Sequence, residues 1–90
     1  MKWTKVTSYM LDRIPERDRK SAIRPAILRS WYCYKFMDNF VVMMVKYGRD
    51  ILVGVAKRNP RDKYNLKIGC QVAWVKAYRQ FVKENNGQLR

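Results

Sequence analysis

Along the chain the period of hydrophobic positions passes from helical to strand-like and back. In "TKVTSYMLDRI", residues 4–14, Val6, Tyr9, Met10 and Ile14 recur at helical spacing with Thr4 or Thr7 placed to cap the first turn, which predicts a short helix. Pro15 stops it or opens a second helical turn through "PERDRKSAIR", and Pro25 punctuates again. From Ile27 the period is two: Tyr32, Tyr34 and Phe36 fall on one side, Trp31, Cys33, Lys35 and Met37 on the other, as in a strand. After a turn at Asp38 and Asn39, "FVVMMVK" and "ILVGVAK" flank "YGRD", a hairpin with Gly48 where positive φ is needed.

The two hairpin strands are apolar on both faces instead of alternating. One face is therefore expected to meet a helix and the other the N-terminal segment or a second protomer, giving a homodimer. Gly54 and Ala56 mark where another backbone comes close. Pro60 then ends the strand, Asp62 or Asn65 can accept from free helix N–H groups, and a helix is predicted from about Leu66 to Glu84, closing near Gly87. On a helical wheel Ala73, Leu66, Ala77, Cys70, Phe81, Trp74, Tyr78, Val82, Val75 and Ile68 form one broad apolar arc, with Lys76, Arg79, Gln80 and Lys83 opposite. The predicted fold is a small α+β domain over residues 1–90: an antiparallel three-stranded sheet packed by a long C-terminal helix (27–90), with short helices in a basic N-terminal segment (1–26).

Charge changes the picture most. Twenty Lys and Arg stand against seven Asp and Glu, a formal charge of +13 on 90 residues. A surplus that large repels itself unless a polyanion or an acidic surface relieves it. The clusters recur at residues 13–29, 57–67 and 76–83, with few acids between. The N-terminus is broken by charge too early for a secretory signal, and the longest apolar runs, "FVVMMV" and "ILVGVA", are far short of a membrane span. A cytoplasmic protein without membrane contact is expected. Cys33 and Cys70 stand apart with no CxxC pair, which fits two reduced thiols better than a disulfide framework, although spacing leaves a bridge between them open.

The segment "VGVAKRNPRDKYNLKIGCQVAWVKA", residues 53–77, resembles the C-terminal module of many small bacteriophage proteins, in which a strand ends in a Pro-Asp turn leading to an aromatic, an Asn and a helix running Gly-Arg-x-Ile-Ala-x-Gly-Arg-Ala. Pro60, Asp62, Tyr64, Asn65, Gly69, Ala73 and Ala77 match; Val72 and Lys76 are mild replacements; Cys70 and Val75 depart. The resemblance implies phage origin, hence a host-cell cytoplasm, and a strand-turn-helix module. It transfers no catalytic residues.

Catalysis is not expected. The chain has no histidine, which removes Ser-His and Cys-His nucleophile systems and most mixed metal sites. Its acids are scattered, only Glu16 and Asp18 being close, and neither glycine-rich phosphate-loop motif is present. No cofactor and no metal are expected. Tyr32, Tyr34 and Phe36 would be a base-stacking platform on an exposed face or core under the helix, and in so small a chain burial is favoured. The leading function is non-enzymatic binding of DNA or RNA through the phosphate backbone by Arg58, Arg61, Lys63, Lys67, Lys76, Arg79 and Lys83, with Arg17, Arg19 and Lys20 as the competing clamp. The turn cations are expected to act with free N–H groups at the helix start near Asn65. The same patch would serve a phage-encoded inhibitor docking on an acidic surface of a host defence or transcription enzyme, and a third reading is an assembly accessory held near nucleic acid by charge.

Overall fold

The computed structural model describes residues 2–57 and 65–85. It is an α+β fold with a four-stranded antiparallel sheet in the order β1-β2-β3-β4: β1 is Thr4–Lys5, β2 Trp31–Met37, β3 Phe40–Tyr47 and β4 Asp50–Lys57. The helices are α1 (Ser8–Asp12), α2 (Arg24–Ile27) and α3 (Leu66–Asn85), with 3-10 turns at Glu16–Asp18 and Ser21–Ile23.

The sheet thus has one strand more than the sequence pattern predicts. Thr4 and Lys5 pair with Tyr32 and Trp31, and Val6 continues the alignment by donating its N–H to Ser30 O at 3.0 Å. A two-residue strand carries no periodicity of its own and forms because β2 offers its edge. Thr7, with φ −111° and ψ 160°, ends the extended stretch and caps α1, its side chain accepting from the Met10 N–H. Pro15 opens the first 3-10 turn, and Pro25 sits in the first turn of α2, where its missing N–H costs nothing.

The hairpin matches its prediction. β3 and β4 pair from Phe40↔Lys57 to Tyr47↔Asp50, and the two-residue loop places Gly48 at φ +59° with no other positive-φ residue among those described. The registers put Tyr32 and Tyr34 of β2, Val41, Met43 and Val45 of β3, and Leu52, Gly54 and Ala56 of β4 on one face. α3 lies over β3 and β4 on that side, inserting Ala73, Trp74, Ala77, Tyr78 and Phe81, all buried.

Gly54 sets the closeness of the two layers. A Cβ built there would overlap the Ala73 carbonyl oxygen and the Ala77 nitrogen, so the expectation of a close backbone approach at Gly54 is met by the helix axis itself. The N-terminal segment closes the core from the side: Leu11, Ile14, Ile23 and Ile27 are buried in the same cluster, and Trp74 Nε1 donates to Met10 O at 2.7 Å.

The apolar arc of α3 is narrower than the helical wheel suggests. Leu66 and Ile68, both in the predicted arc, are exposed. Ile68 stands nine positions before Ala77, half a turn round the helix from the packed face.

Among the described residues no helix covers the opposite face of the sheet. That face carries Trp31, Cys33, Lys35 and Met37 from β2, Phe40, Val42, Met44 and Lys46 from β3, and Ile51, Val53, Val55 and Lys57 from β4. Trp3 of the N-terminal segment reaches one side of it, where Lys46 Nζ lies 5.8 Å from the Trp3 ring and Cys33 is buried, while Ile51 (52%), Val53 (43%) and Val55 (39%) on β4 are exposed.

Candidate functional site

The cations of the N-terminal segment and of α3 meet through one carboxylate. Pro15 turns the chain so that Asp18, in the 3-10 turn, faces the middle of α3, and Arg79 Nη2 donates to Asp18 Oδ2 at 3.1 Å. Arg17 Nε lies 3.9 Å from the same oxygen. The next turn is fixed by the Lys20 N–H, which donates to the phenol of the otherwise buried Tyr78 at 2.9 Å. Residues about sixty apart in sequence are thereby held on one side of the molecule, and the N-terminal cations adjoin the α3 stripe at Arg79.

Arg19 has a different use. Its Nε donates to Ile14 O at 2.8 Å and its Nη2 to Asp12 O at 2.6 Å, so the side chain folds back to satisfy carbonyls at the end of α1. Two of its five donors are spent on architecture. Lys20 and Arg24 flank an open hollow beside Leu11 and Tyr78.

On α3 the expected stripe is present: Lys76, Arg79, Gln80 and Lys83 are all exposed. With Val53, Gly54 and Val55 of β4 they line a shallow groove of about 360 Å³ along the edge strand. Among the described residues Lys76 and Lys83 form no ion pair, whereas Arg79 is partly neutralised by Asp18.

Lys67 is not part of this surface. It is nine positions from Lys76, on the opposite flank of α3, and borders a cleft with Tyr9, Arg13, Tyr32, Tyr34 and Trp74. Arg13, which the sequence reading placed only within a basic run, is the organising residue there: its Nε donates to Gln71 Oε1 at 3.2 Å, its Nη1 to Tyr9 Oη at 3.0 Å, and its carbonyl accepts from Gln71 Nε2 at 2.6 Å. Its Tyr9 contact is local, four residues back, whereas Gln71 lies on α3, 58 positions away, and no local spacing marks that pairing. Arg58, Arg61 and Lys63, the turn cations, lie outside the described residues.

The start of α3 is not the open anion site that the sequence suggests. Asn65 Oδ1 accepts from the Lys67 N–H at 3.1 Å and the Ile68 N–H at 3.3 Å, and Asn65 O accepts from the Gly69 N–H. The cap residue itself thus occupies donors that a phosphate would need.

The aromatic row is divided. Tyr32 and Tyr34 are half-buried on the helix-covered face and meet edge to face, while Phe36, stacked on Tyr34, is 54% exposed. α3 lies over β3 and β4, so the far end of β2 falls outside its footprint. Burial pushes the Tyr34 phenol up to about 12, with the neighbouring Cys70 thiol adding to the effect, and burial also raises the Cys70 thiol. Cys33 and Cys70 are both free; Cys33 belongs to the uncovered sheet face and Cys70 to α3 on the other side, which leaves no path for a bridge between them.

Among the described residues no group of three His, Cys, Asp or Glu side chains converges as a metal site, and no helix is long and apolar enough to cross a membrane. Comparison with protein-family models, curated proteins and solved structures finds no match.

Proposed function

We propose that the chain is a non-enzymatic nucleic-acid-binding protein that holds DNA or RNA by its phosphates along the side formed by the N-terminal 3-10 turns and the outer stripe of α3. The observation that carries this reading is the Arg17–Asp18–Arg79 link, which joins two cationic clusters remote in sequence into one surface. Lys76, Lys83, Lys20 and Arg24 extend that surface on side chains that are exposed, on a chain whose charge is +13. Flexible cations on a convex helix suit phosphate neutralisation more than base readout, because nothing here enters a groove with a fixed donor pattern.

The test is fluorescence anisotropy with labelled duplex DNA and single-stranded RNA, comparing the wild type with Lys76→Glu/Lys83→Glu. Charge reversal on this stripe should abolish binding while circular dichroism shows an unchanged fold. The same cations would serve an acidic protein surface, and pull-down from nuclease-treated lysate separates the two: loss of all partners supports nucleic acid, and one stoichiometric protein supports the inhibitor reading.

A further inference from the structure

We propose that the sheet face turned away from α3 is a docking surface for a second protein, one whose apolar surface is edged by carboxylates. The face concerned meets the α3 stripe only along β4, where Val53 and Val55 also border the groove of Lys76, Arg79 and Lys83, and the proposal does not depend on the nucleic-acid reading. Its centre is aliphatic: Val42, Met44, Val53 and Val55 are neighbours across β3 and β4, since Met44 pairs with Val53 and Val42 with Val55. At the ends of the strands Ile51 is 52% exposed, Trp31 44% and Phe40 38%. A contiguous apolar sheet face of this kind on a water-soluble surface marks an interaction site, because scattered single hydrophobics need no explanation but a continuous patch does. The same β-branched positions could have been made polar without disturbing the core, which lies on the other side of the sheet.

Charge selects the occupant. Lys5, Lys35, Lys46 and Lys57 stand on this face at its margins, and no Asp or Glu occupies an outward position of β2, β3 or β4. The one acid within these strands, Asp50, pairs with Tyr47 on the inward side. A second copy of the chain laid on this face would bring eight lysines and no carboxylate into one interface, counting the same four from each copy, which opposes self-association. Single-stranded nucleic acid would need free aromatic faces. Here Lys5 Nζ already sits 4.9 Å over the Trp31 ring and Lys46 Nζ 5.8 Å over the Trp3 ring, and the aliphatic centre offers no stacking partner. An apolar stripe flanked by Asp or Glu meets both requirements: it covers the valines and methionines and pairs with the marginal lysines, and the methionines adapt to its relief.

The experiment uses two synthetic amphipathic helices of about 18 residues with the same Leu/Val stripe, one edged with Glu and the other with Lys. Titration of the full chain, followed by amide NMR shifts, should give saturable binding of the Glu-edged peptide with shifts centred on Val42, Met44, Val53 and Val55, and binding of the Lys-edged peptide weaker by about tenfold or more. Val53→Lys should remove binding. The variant Lys35→Glu/Lys46→Glu/Lys57→Glu, which alters only surface charge, should invert the preference between the two peptides and decides the matter even if Val53→Lys fails to fold. Equal binding of both peptides, no binding of either, shifts confined to α3, competition by an oligonucleotide on the same residues, or a dimer in sedimentation that Val53→Lys dissolves would each overturn the proposal.

Discussion

Gly54 and Ala77 approach so closely that a Cβ on the glycine would stand 3.0 Å from the Ala77 Cα, with the Ala77 nitrogen and the Ala73 oxygen nearer still. All of these are backbone or Cα atoms, so no side-chain rotation relieves the clash. Gly54→Ala must move α3 as a body, and overpacking of that kind costs about 3 kcal/mol. In a domain of this size that lowers Tm by about 12 °C or more. Gly48→Ala is the control: open space surrounds Gly48, and only its φ of +59° resists, at about 1 kcal/mol. Thermal melts followed by circular dichroism should rank the two variants in that order.

Asp18 restrains Arg79, a cation of the α3 stripe. Its replacement by Asn removes a partly exposed ion pair and should change stability by less than about 1 kcal/mol. Because Arg79 and Arg17 are released, affinity for duplex DNA should rise and the salt slope should steepen by up to about 0.9 for each of them that gains a phosphate contact. Anisotropy titrations at several salt concentrations check both.

Tyr34 predicts a pH dependence of stability. Its folded-state pKa is raised from 10.0 to about 12, chiefly by burial, so between those values the unfolded chain loses the phenolic proton and the folded chain keeps it. The unfolded state then binds fewer protons, and stability falls as pH rises through that window; below pH about 10 the contribution is fully present. Urea melts at pH 9 and above should show wild type losing more stability than Tyr34→Phe, a difference from which every group the two proteins share cancels. An identical pH profile for the two proteins would be the contrary result.

Asn65 holds the first turn of α3 by accepting two N–H bonds. Asn65→Ala should cost about 1 kcal/mol and fray that turn, visible as faster amide exchange at Lys67 and Ile68.

The hairpin and α3 were legible because each carries a long periodic signal: two eight-residue strands around a glycine turn, and a helix whose Ala73, Ala77 and Phe81 recur on one face. β1 was not, since Thr4 and Lys5 become a strand only by pairing with Trp31 and Tyr32. The width of the buried arc on α3 was overdrawn for a related reason. Leu66 and Ile68 are apolar, but what decides burial is the direction of the sheet, and that direction is fixed at Gly54, where the helix can come nearest. Of the site, the residue types and their clustering on α3 are legible in the sequence. The union of Arg17 with Arg79 depends on where the 3-10 turn sets Asp18, and the folding back of Arg19 onto Asp12 and Ile14 depends on where α1 ends; neither is written in local spacing.

The central claim, phosphate neutralisation by the α3 stripe, is tested most directly by the slope of log K against log salt for duplex DNA. Wild type should lose affinity steeply between roughly 50 and 200 mM salt, and Lys76→Gln/Lys83→Gln should flatten the slope by about 0.9 for each cation removed, whereas Lys35→Gln/Lys57→Gln on the opposite sheet face should leave it unchanged. Affinity indifferent to salt, or a slope that responds to Lys35 and Lys57 and not to Lys76 and Lys83, would contradict it.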